Sequence, residues 1–486
     1  MNTDMTLILL LLIPFIGATL VGLTGKRPNL RESVTLVTAT ALFICVLILA
    51  GSVLKGERPA IELFSLLPNI SIAFRAEPLG MIFALVASCL WIPNSVYSIG
   101  YMRAHKEPAQ TRYYMCFALA IMSVMGLAFS ANLVTMFLFY EILTLSTYPL
   151  VTHSGTPEAK RAGRVYLGLL IGTSVGFQLP AIILTYLTTG TTDFQEGGIL
   201  LGHAAPGLIM LLFALFIFGV GKAALMPFHR WLPAAMVAPT PVSALLHAVA
   251  VVKGGVFVVL KIVIYIFGVD AIQLGHTGDW LLWLAAFTIL ASSLIAMTKD
   301  NLKARLAYST ISQLSYIVLG AALATTASIT GSGLHLVTHA FGKITLFFCA
   351  GAIITATHKT NISDMRGIGR AMPITMLAFF IGSLSVIGLP PLGGAWSKWF
   401  LALGAVEADK IILVGVLMLS SLLNIAYLVP IVVNAFFPGQ HPSNFDKYSE
   451  APWACLAPLL FTSAGCLVLF IYPDPIFHLL NQLFGN

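Results

Sequence analysis

Four lysines and one glutamate stand where an ionised side chain is hardest to accommodate. Lys222, Lys253, Lys343 and Lys398 fall inside long apolar stretches, and of the 19 acids Glu141 is the one placed well inside such a stretch. Three histidines accompany them: His247 shortly before Lys253, and His335 and His339 at four-residue spacing ahead of Lys343. On a helix, an i, i+4, i+8 series forms one stripe. A charge at mid-bilayer costs at least ~3 kcal/mol on insertion scales. One acid does not neutralise four amines, so structural ion pairing is a poor account of the whole set. The chemistry these residue types share is proton exchange. A desolvated lysine gives up its proton readily whereas arginine keeps its charge, and all four deep cations are lysine. A carboxylate nearby, here Glu141, favours the protonated amine at Lys222, and its withdrawal favours release. Histidine accepts a proton on one ring nitrogen while releasing one from the other.

Blander readings stand beside these. The His335 and His339 spacing also suits a metal, but the helix offers no cysteine or acid to complete the ligand set. His247 alone could be a packed core histidine. Lys261 lies near a helix end, where its stem is expected to snorkel to the interface. His229 and Arg230 follow the seventh apolar stretch, are read as facing headgroups, and stay outside the pathway. Ser312, Gln313, Ser383 and Ser397 either hold water or join helices.

The elements that position these groups follow from composition. The sequence has 58% hydrophobic and 9% charged residues, against about 25% charged in soluble domains. Spans of roughly 20 apolar residues are read near 5–24, 34–54, 78–100, 112–130, 132–151, 164–188, 206–228, 240–263, 280–298, 303–324, 332–357, 372–406, 410–434 and 453–473. The fold expected is therefore an all-α integral membrane protein of about fourteen transmembrane helices. Ser130, Ala131 and Asn132 join the fourth and fifth in a tight hairpin. The first run, Met5–Leu23, lacks a preceding basic segment and a small-residue cleavage site, and is read as a retained helix. With the N-terminus outside, seventeen Lys and Arg from Lys26 through Lys447 fall in cytoplasmic loops, and four, Lys55, Arg58, Arg75 and Lys410, fall on the other side. This bias is the positive-inside signal, and it accounts for the net charge of +7 without invoking nucleic acid. The six cysteines are scattered with no ligand spacing, so neither a cluster nor another cofactor is expected of this chain.

The seventh span breaks around Met226–Pro227 and the twelfth at Gly388–Gly394. Each is the fourth member of a five-helix unit, helices 4–8 and helices 9–13. Matching breaks indicate two inverted repeats with sites at the breaks. The corresponding organisation is residues 1–110 for the first three helices, 111–265 and 279–435 for the repeats, and 436–486 for helix fourteen.

Ordered motifs over about residues 70–435 resemble the antiporter-like proton-translocating subunits shared by respiratory complex I, membrane-bound hydrogenases and Mrp-type cation/proton antiporters. Phe137–Leu143 carries Glu141; Gly221–Pro233 carries Lys222; Ala238–Gly255 carries His247 and Lys253. Leu306–Gln313, His335–Lys343 and Gly388–Gly394 with Lys398 complete the series. The resemblance implies a proton relay in which Glu141 pairs with Lys222, Lys253 carries protons across the middle, and His335, His339 and Lys343 lead to Lys398. It implies partner membrane subunits, H⁺ with Na⁺ as the exchanged cation, no catalysis by this chain, and a bacterial or archaeal cell membrane. Lysine at position 398, with no lateral helix after helix fourteen, resembles the Mrp D-type subunit. A hydrogenase or complex I paralogue is the alternative, and a quinone-binding subunit or a structural scaffold are further readings.

Overall fold

In the computed structural model, which describes residues 3–438 and 448–484, apolar runs become helices wherever they reach bilayer length. In chain order these are α1 (Thr3–Leu23), α2 (Pro28–Leu54), α3 (Pro78–Ala104), α4 (Gln110–Ala128), α5 (Leu133–Val151), α6 (Pro157–Thr173), α7 (Leu179–Thr189), α8 (Pro206–Gly219), α9 (Trp231–Ala234), α10 (Thr240–Ala244), α11 (Val251–Ile262), α12 (Val269–Leu274), α13 (Asp279–Thr298), α14 (Leu302–Leu323), α15 (Thr326–Thr357), α16 (Pro373–Ile387), α17 (Gly394–Glu407), α18 (Ile411–Phe436), α19 (Trp453–Ile471) and α20 (Asp474–Asn481). A π-helical stretch, Ser174–Gln178, fuses α6 to α7, and another, Leu245–Val249, fuses α10 to α11. Twelve helices among the described residues are long and apolar enough to cross a membrane, and α8 and α16 are shorter apolar helices. Together they account for the fourteen spans read from the sequence. Lys447, counted above among the cytoplasmic cations, lies outside the described residues.

The local signals are ordinary helix chemistry. Asn132 caps α5 by accepting from the Thr135 amide at 2.8 Å, and Thr325 and Ser328 form a reciprocal capping box at the start of α15. Proline opens α2, α3, α6, α8 and α16, where a missing N–H costs nothing.

Two features depart from the expectation. The fold is not wholly helical: β1 (Ala60–Leu67) and β2 (Ile70–Arg75) form an antiparallel hairpin between α2 and α3. It is stitched to the α4–α5 turn, where the Ala131 amide donates to the Ala73 carbonyl and the Arg75 amide to the Phe129 carbonyl. The first break also starts earlier than Met226–Pro227. α8 ends at Gly219, and Lys222 sits on a 3₁₀ turn, Gly221–Ala223, closed by Ala224 at φ +54°. The second break falls where expected, with Gly388 at φ +89° ending α16.

The span running from α10 through α11 is buried along its whole apolar window. It packs against α3, α4, α5, α8, α14 and α15. α1, α2, α18 and α19 instead carry exposed Phe15, Ile44, Met418 and Phe461 on their outer faces. This central helix meets the first break at Gly255, where an added Cβ would lie 2.3 Å from the Ala223 nitrogen and 2.4 Å from the Lys222 carbonyl carbon. At Gly254 the nearest atoms are leucine methyls at 3.0 and 3.3 Å. Gly255→Ala is expected to destabilise the protein by about 1–3 kcal/mol through overpacking, read as a lowered thermal midpoint in detergent. Gly254→Ala, whose neighbours are flexible side-chain ends, should shift the midpoint much less.

Candidate functional site

The broken helix presents Lys222 sideways into the protein, fully buried. Its Nζ donates to the Tyr140 carbonyl at 2.8 Å and to Thr144 Oγ1 at 2.6 Å, both on α5. The ammonium also lies over the Tyr140 ring, 3.1 Å from its centroid. Glu141 is the next residue on α5 and interacts electrostatically with Lys222. Yet among the described residues the two form no ion pair within 4 Å, and Glu141 Oε1 is buried without a hydrogen-bond partner. The direct pairing expected from the sequence is thus replaced by a carbonyl and a hydroxyl.

Lys253, fully buried on α11, is 2.8 Å from His339 Nδ1 on α15. The helical stripe places the ring of His335 one turn away, 5.6 Å from that of His339 and near-parallel to it. His335 Nδ1 lies 2.9 Å from Ser397 Oγ on α17, the helix that resumes after the second break. The His335 ring also stacks on Tyr316, with centroids 5.5 Å apart. The Tyr316 ring in turn has Lys398 Nζ 4.7 Å from its centroid. Lys398 donates to the Ile387 carbonyl at 2.8 Å and to Ser421 Oγ at 3.0 Å. It is half-buried and lines a cavity of about 310 Å³ with Gly388 and Ser421. Lys253, His339, His335 and Lys398 therefore form one line across two repeats, with Ser397 and Tyr316 as connecting groups.

Lys343 and His247 form a side branch. Lys343 donates to Ser309 Oγ at 2.6 Å and to the Leu306 carbonyl at 3.3 Å. Tyr427 donates to the same serine at 2.8 Å and also bonds Asn424. His247 sits on the π-helical stretch with both ring nitrogens buried and unpartnered, 4.6 Å from the Phe347 ring. Lys343 and Lys303 are within electrostatic reach of it. Buried polar atoms of this kind are where ordered water binds. Thr240 and Ser243, on the same helix as His247, and Gln313 and Ser383 likewise have buried side-chain atoms without protein partners.

Several placements correct or extend the sequence reading. Lys261 does not snorkel: it is 0% exposed, 3.2 Å from Glu77 Oε2 and 2.5 Å from the Ser130 carbonyl. Its partner precedes α3, so no local spacing announces the contact. Glu32 is a further buried acid inside a helix, bonded to Arg103 beside Arg31. Ser312 acts as helix glue, bonding Ser293 at 3.0 Å, while Ser397 joins the line of titratable groups. His229 and Arg230 lie at the surface end of the break, half-buried and exposed. Tyr140, Thr144, Ser309, Tyr316 and Tyr427 also belong to the site, though lone hydroxyls in apolar helices carry no spacing signal.

Known proteins share this arrangement of helices. A family described as NADH:quinone oxidoreductase/Mrp antiporter, transmembrane region, matches residues 130–424. NADH-quinone oxidoreductase subunit N of Desulforudis audaxviator is 32% identical over 486 residues, covering 96% of each chain. NAD(P)H-quinone oxidoreductase subunit 5, organellar chromatophore 1, of Paulinella chromatophora is 33% identical over 422 residues, or 80% of this chain. The chain spans only 61% of that relative. Among solved structures, a chain of the Mrp complex from a Dietzia species superposes with a TM-score of 0.87 at 22% identity, over 99% of this chain and 97% of that one. A chain of the membrane-bound sulfane sulfur reductase, an archaeal respiratory membrane complex, gives 0.86 at 24% identity, over 98% and 96%. These two likenesses are of fold. With most of its length matched by the family and by a relative of equal extent, this chain belongs to the NADH:quinone oxidoreductase/Mrp antiporter family of membrane subunits.

Proposed function

We propose that the chain conducts protons across the membrane through Glu141, Lys222, Lys253, His247, His335, His339, Lys343 and Lys398, as one subunit of a multisubunit membrane complex. The observation that carries this reading is the 2.8 Å contact between Lys253 and His339. It joins an amine of the first five-helix unit to an imidazole of the second, so a proton passes between the units by breaking one N–H bond and making another. The imidazole takes the proton on Nδ1 and gives one up from Nε2, which is buried and free of protein partners. At Lys222 the amine is held by neutral acceptors, and Glu141 adjusts its charge from beyond contact distance. The chain contributes no redox chemistry in this reading; that belongs to partner subunits. The N-terminus faces outward, a placement supported by the excess of Lys and Arg in the alternate loops.

The transport we infer is exchange of a monovalent cation, Na⁺, for protons, as in an Mrp D-type subunit. Lysine at position 398 and the likeness in fold to a chain of an Mrp complex support it. A second reading, a proton-pumping subunit of a complex I-like assembly, is favoured by the 32% identity with subunit N over nearly the whole of both chains. Everted vesicles holding the assembled complex separate the two. A Na⁺ pulse that collapses a preformed pH gradient supports exchange. Proton movement that follows electron donor and ignores Na⁺ supports the second reading.

Glu141→Ala and Lys222→Ala are each expected to abolish proton movement while the complex still assembles on a native gel. Full transport in either variant defeats the assignment. His339→Leu, which removes the link between the units, should lower the rate by roughly a hundredfold or more, the usual worth of a positioned proton carrier, measured as dye-reported acidification in the same vesicles.

A further inference from the structure

A second cluster of buried charge lies apart from the line just described. Glu77 is 3% exposed and immediately precedes α3, but it does not cap that helix. Its Oε1 accepts from Arg75 Nε at 2.9 Å and Nη2 at 2.6 Å, and its Oε2 faces Lys261 Nζ at 3.2 Å. Lys261 also donates to the Ser130 carbonyl at 2.5 Å and lies 4.6 Å from the Phe194 ring centroid. Glu77, but not Lys261, lines a cavity of about 400 Å³ together with Arg58, Arg75, Glu196 and Tyr265 among others, with Asp193 within electrostatic reach of Arg75. It lies beside the β1–β2 hairpin, on the side away from the basic loops.

Lys261 is also two turns along α11 from Lys253, about 12 Å by helical rise. Phe257 stands between them at the i+4 position of both intervals. Its ring lies 5.7 Å from Lys261 Nζ and packs on Phe83 at 4.9 Å. One aromatic layer thus separates the amine that touches His339 from an ammonium whose carboxylate partner, Glu77, lines a polar cavity. A purely structural pair needs no such cavity, and a lysine is a poor choice for one because its proton is labile once desolvated.

We propose that Glu77 and Lys261 form a second proton-exchange site, open to the outer aqueous phase through this cavity and closed toward Lys253 by Phe257. The proposal rests on the relay reading above and on its orientation. In the step, an N–H bond of the Lys261 ammonium breaks and an O–H bond forms on Glu77, leaving a neutral amine and acid. The acid then passes the proton to water in the cavity and returns to the carboxylate. Reprotonation of Lys261 from the Lys253 side requires Phe257 to move aside.

The test uses the assembled complex in everted vesicles. Lys261→Arg keeps the positive charge and its pairing with Glu77 but raises the intrinsic pKa by at least about 2 units, so proton flux should fall on the order of a hundredfold. Wild-type flux in Lys261→Arg overturns the proposal and leaves the pair structural. Phe257→Ser should open a proton leak independent of coupling cation or electron donor, and adding Lys261→Met should abolish it. No leak, or a leak unchanged by Lys261→Met, also overturns it. If Lys261→Arg fails to assemble, the Phe257→Ser pair of variants decides. Lys253→Ala run in parallel separates the two levels. Full flux there defeats the relay itself, whereas loss of flux there with wild-type flux in Lys261→Arg removes only the outer site.

Discussion

A buried ammonium must find lone pairs, and how this protein supplies them governs its architecture. Four lysine amines take their hydrogen-bond acceptors from neutral groups: Tyr140 and Thr144 for Lys222, His339 for Lys253, Leu306 and Ser309 for Lys343, Ile387 and Ser421 for Lys398. A carboxylate in each place would bind the charge more tightly, but loss of the proton would strand a buried anion at several kcal/mol. Carbonyls, hydroxyls and imidazole tolerate either state of the amine. The breaks supply part of this set. The Ile387 carbonyl belongs to the last residue of α16, and the 3₁₀ turn puts Lys222 where α5 can receive it.

The position of Glu141 follows the same logic. Because Lys222 is hydrogen-bonded without it, the glutamate acts through Coulomb attraction alone, and that attraction is long-ranged in a poorly screened interior. Its strength changes with the rotamer of the Glu141 side chain, whereas moving α5 against the 3₁₀ turn also stretches the bonds of Lys222 to Tyr140 and Thr144. Movement of the turn is tightly constrained at Gly255 of α11, where an added Cβ would lie 2.3 Å from the Ala223 nitrogen.

Most of the fold was legible because each span is an apolar run of bilayer length, and the second break was legible because Gly388 and two prolines interrupt such a run. The first break was read several residues late. Apolar residues continue through Val220, and the turn at Lys222 is made by Gly221 and Ala224 rather than by Pro227. The hairpin lies between two strong helical signals, and its strands of eight and six residues are too brief to stand out against spans of bilayer length. At the site, the stripe of His335, His339 and Lys343 follows from helix geometry alone. What it touches does not: Ser397, Lys253 and Tyr316 lie on three other helices, and only tertiary packing brings them there. Lys261 was misread for the same reason, since Glu77 is remote in sequence and helix ends in membranes usually do let lysine reach the interface.

The stitching of the hairpin to the α4–α5 turn has a mechanical side. Besides the two backbone bonds, Asn132 Nδ2 donates to the Ser71 carbonyl at 2.8 Å, and Thr135 Oγ1 lies 3.3 Å from the same oxygen. Strand β2 therefore grips the first turn of α5, and Glu141 rides on that helix two turns further along. The hairpin works as a brace: through these bonds β2 and the base of α5 hold one another in register. The same helix carries Glu141 and both acceptors of Lys222, so the outer hairpin and the buried amine share one support.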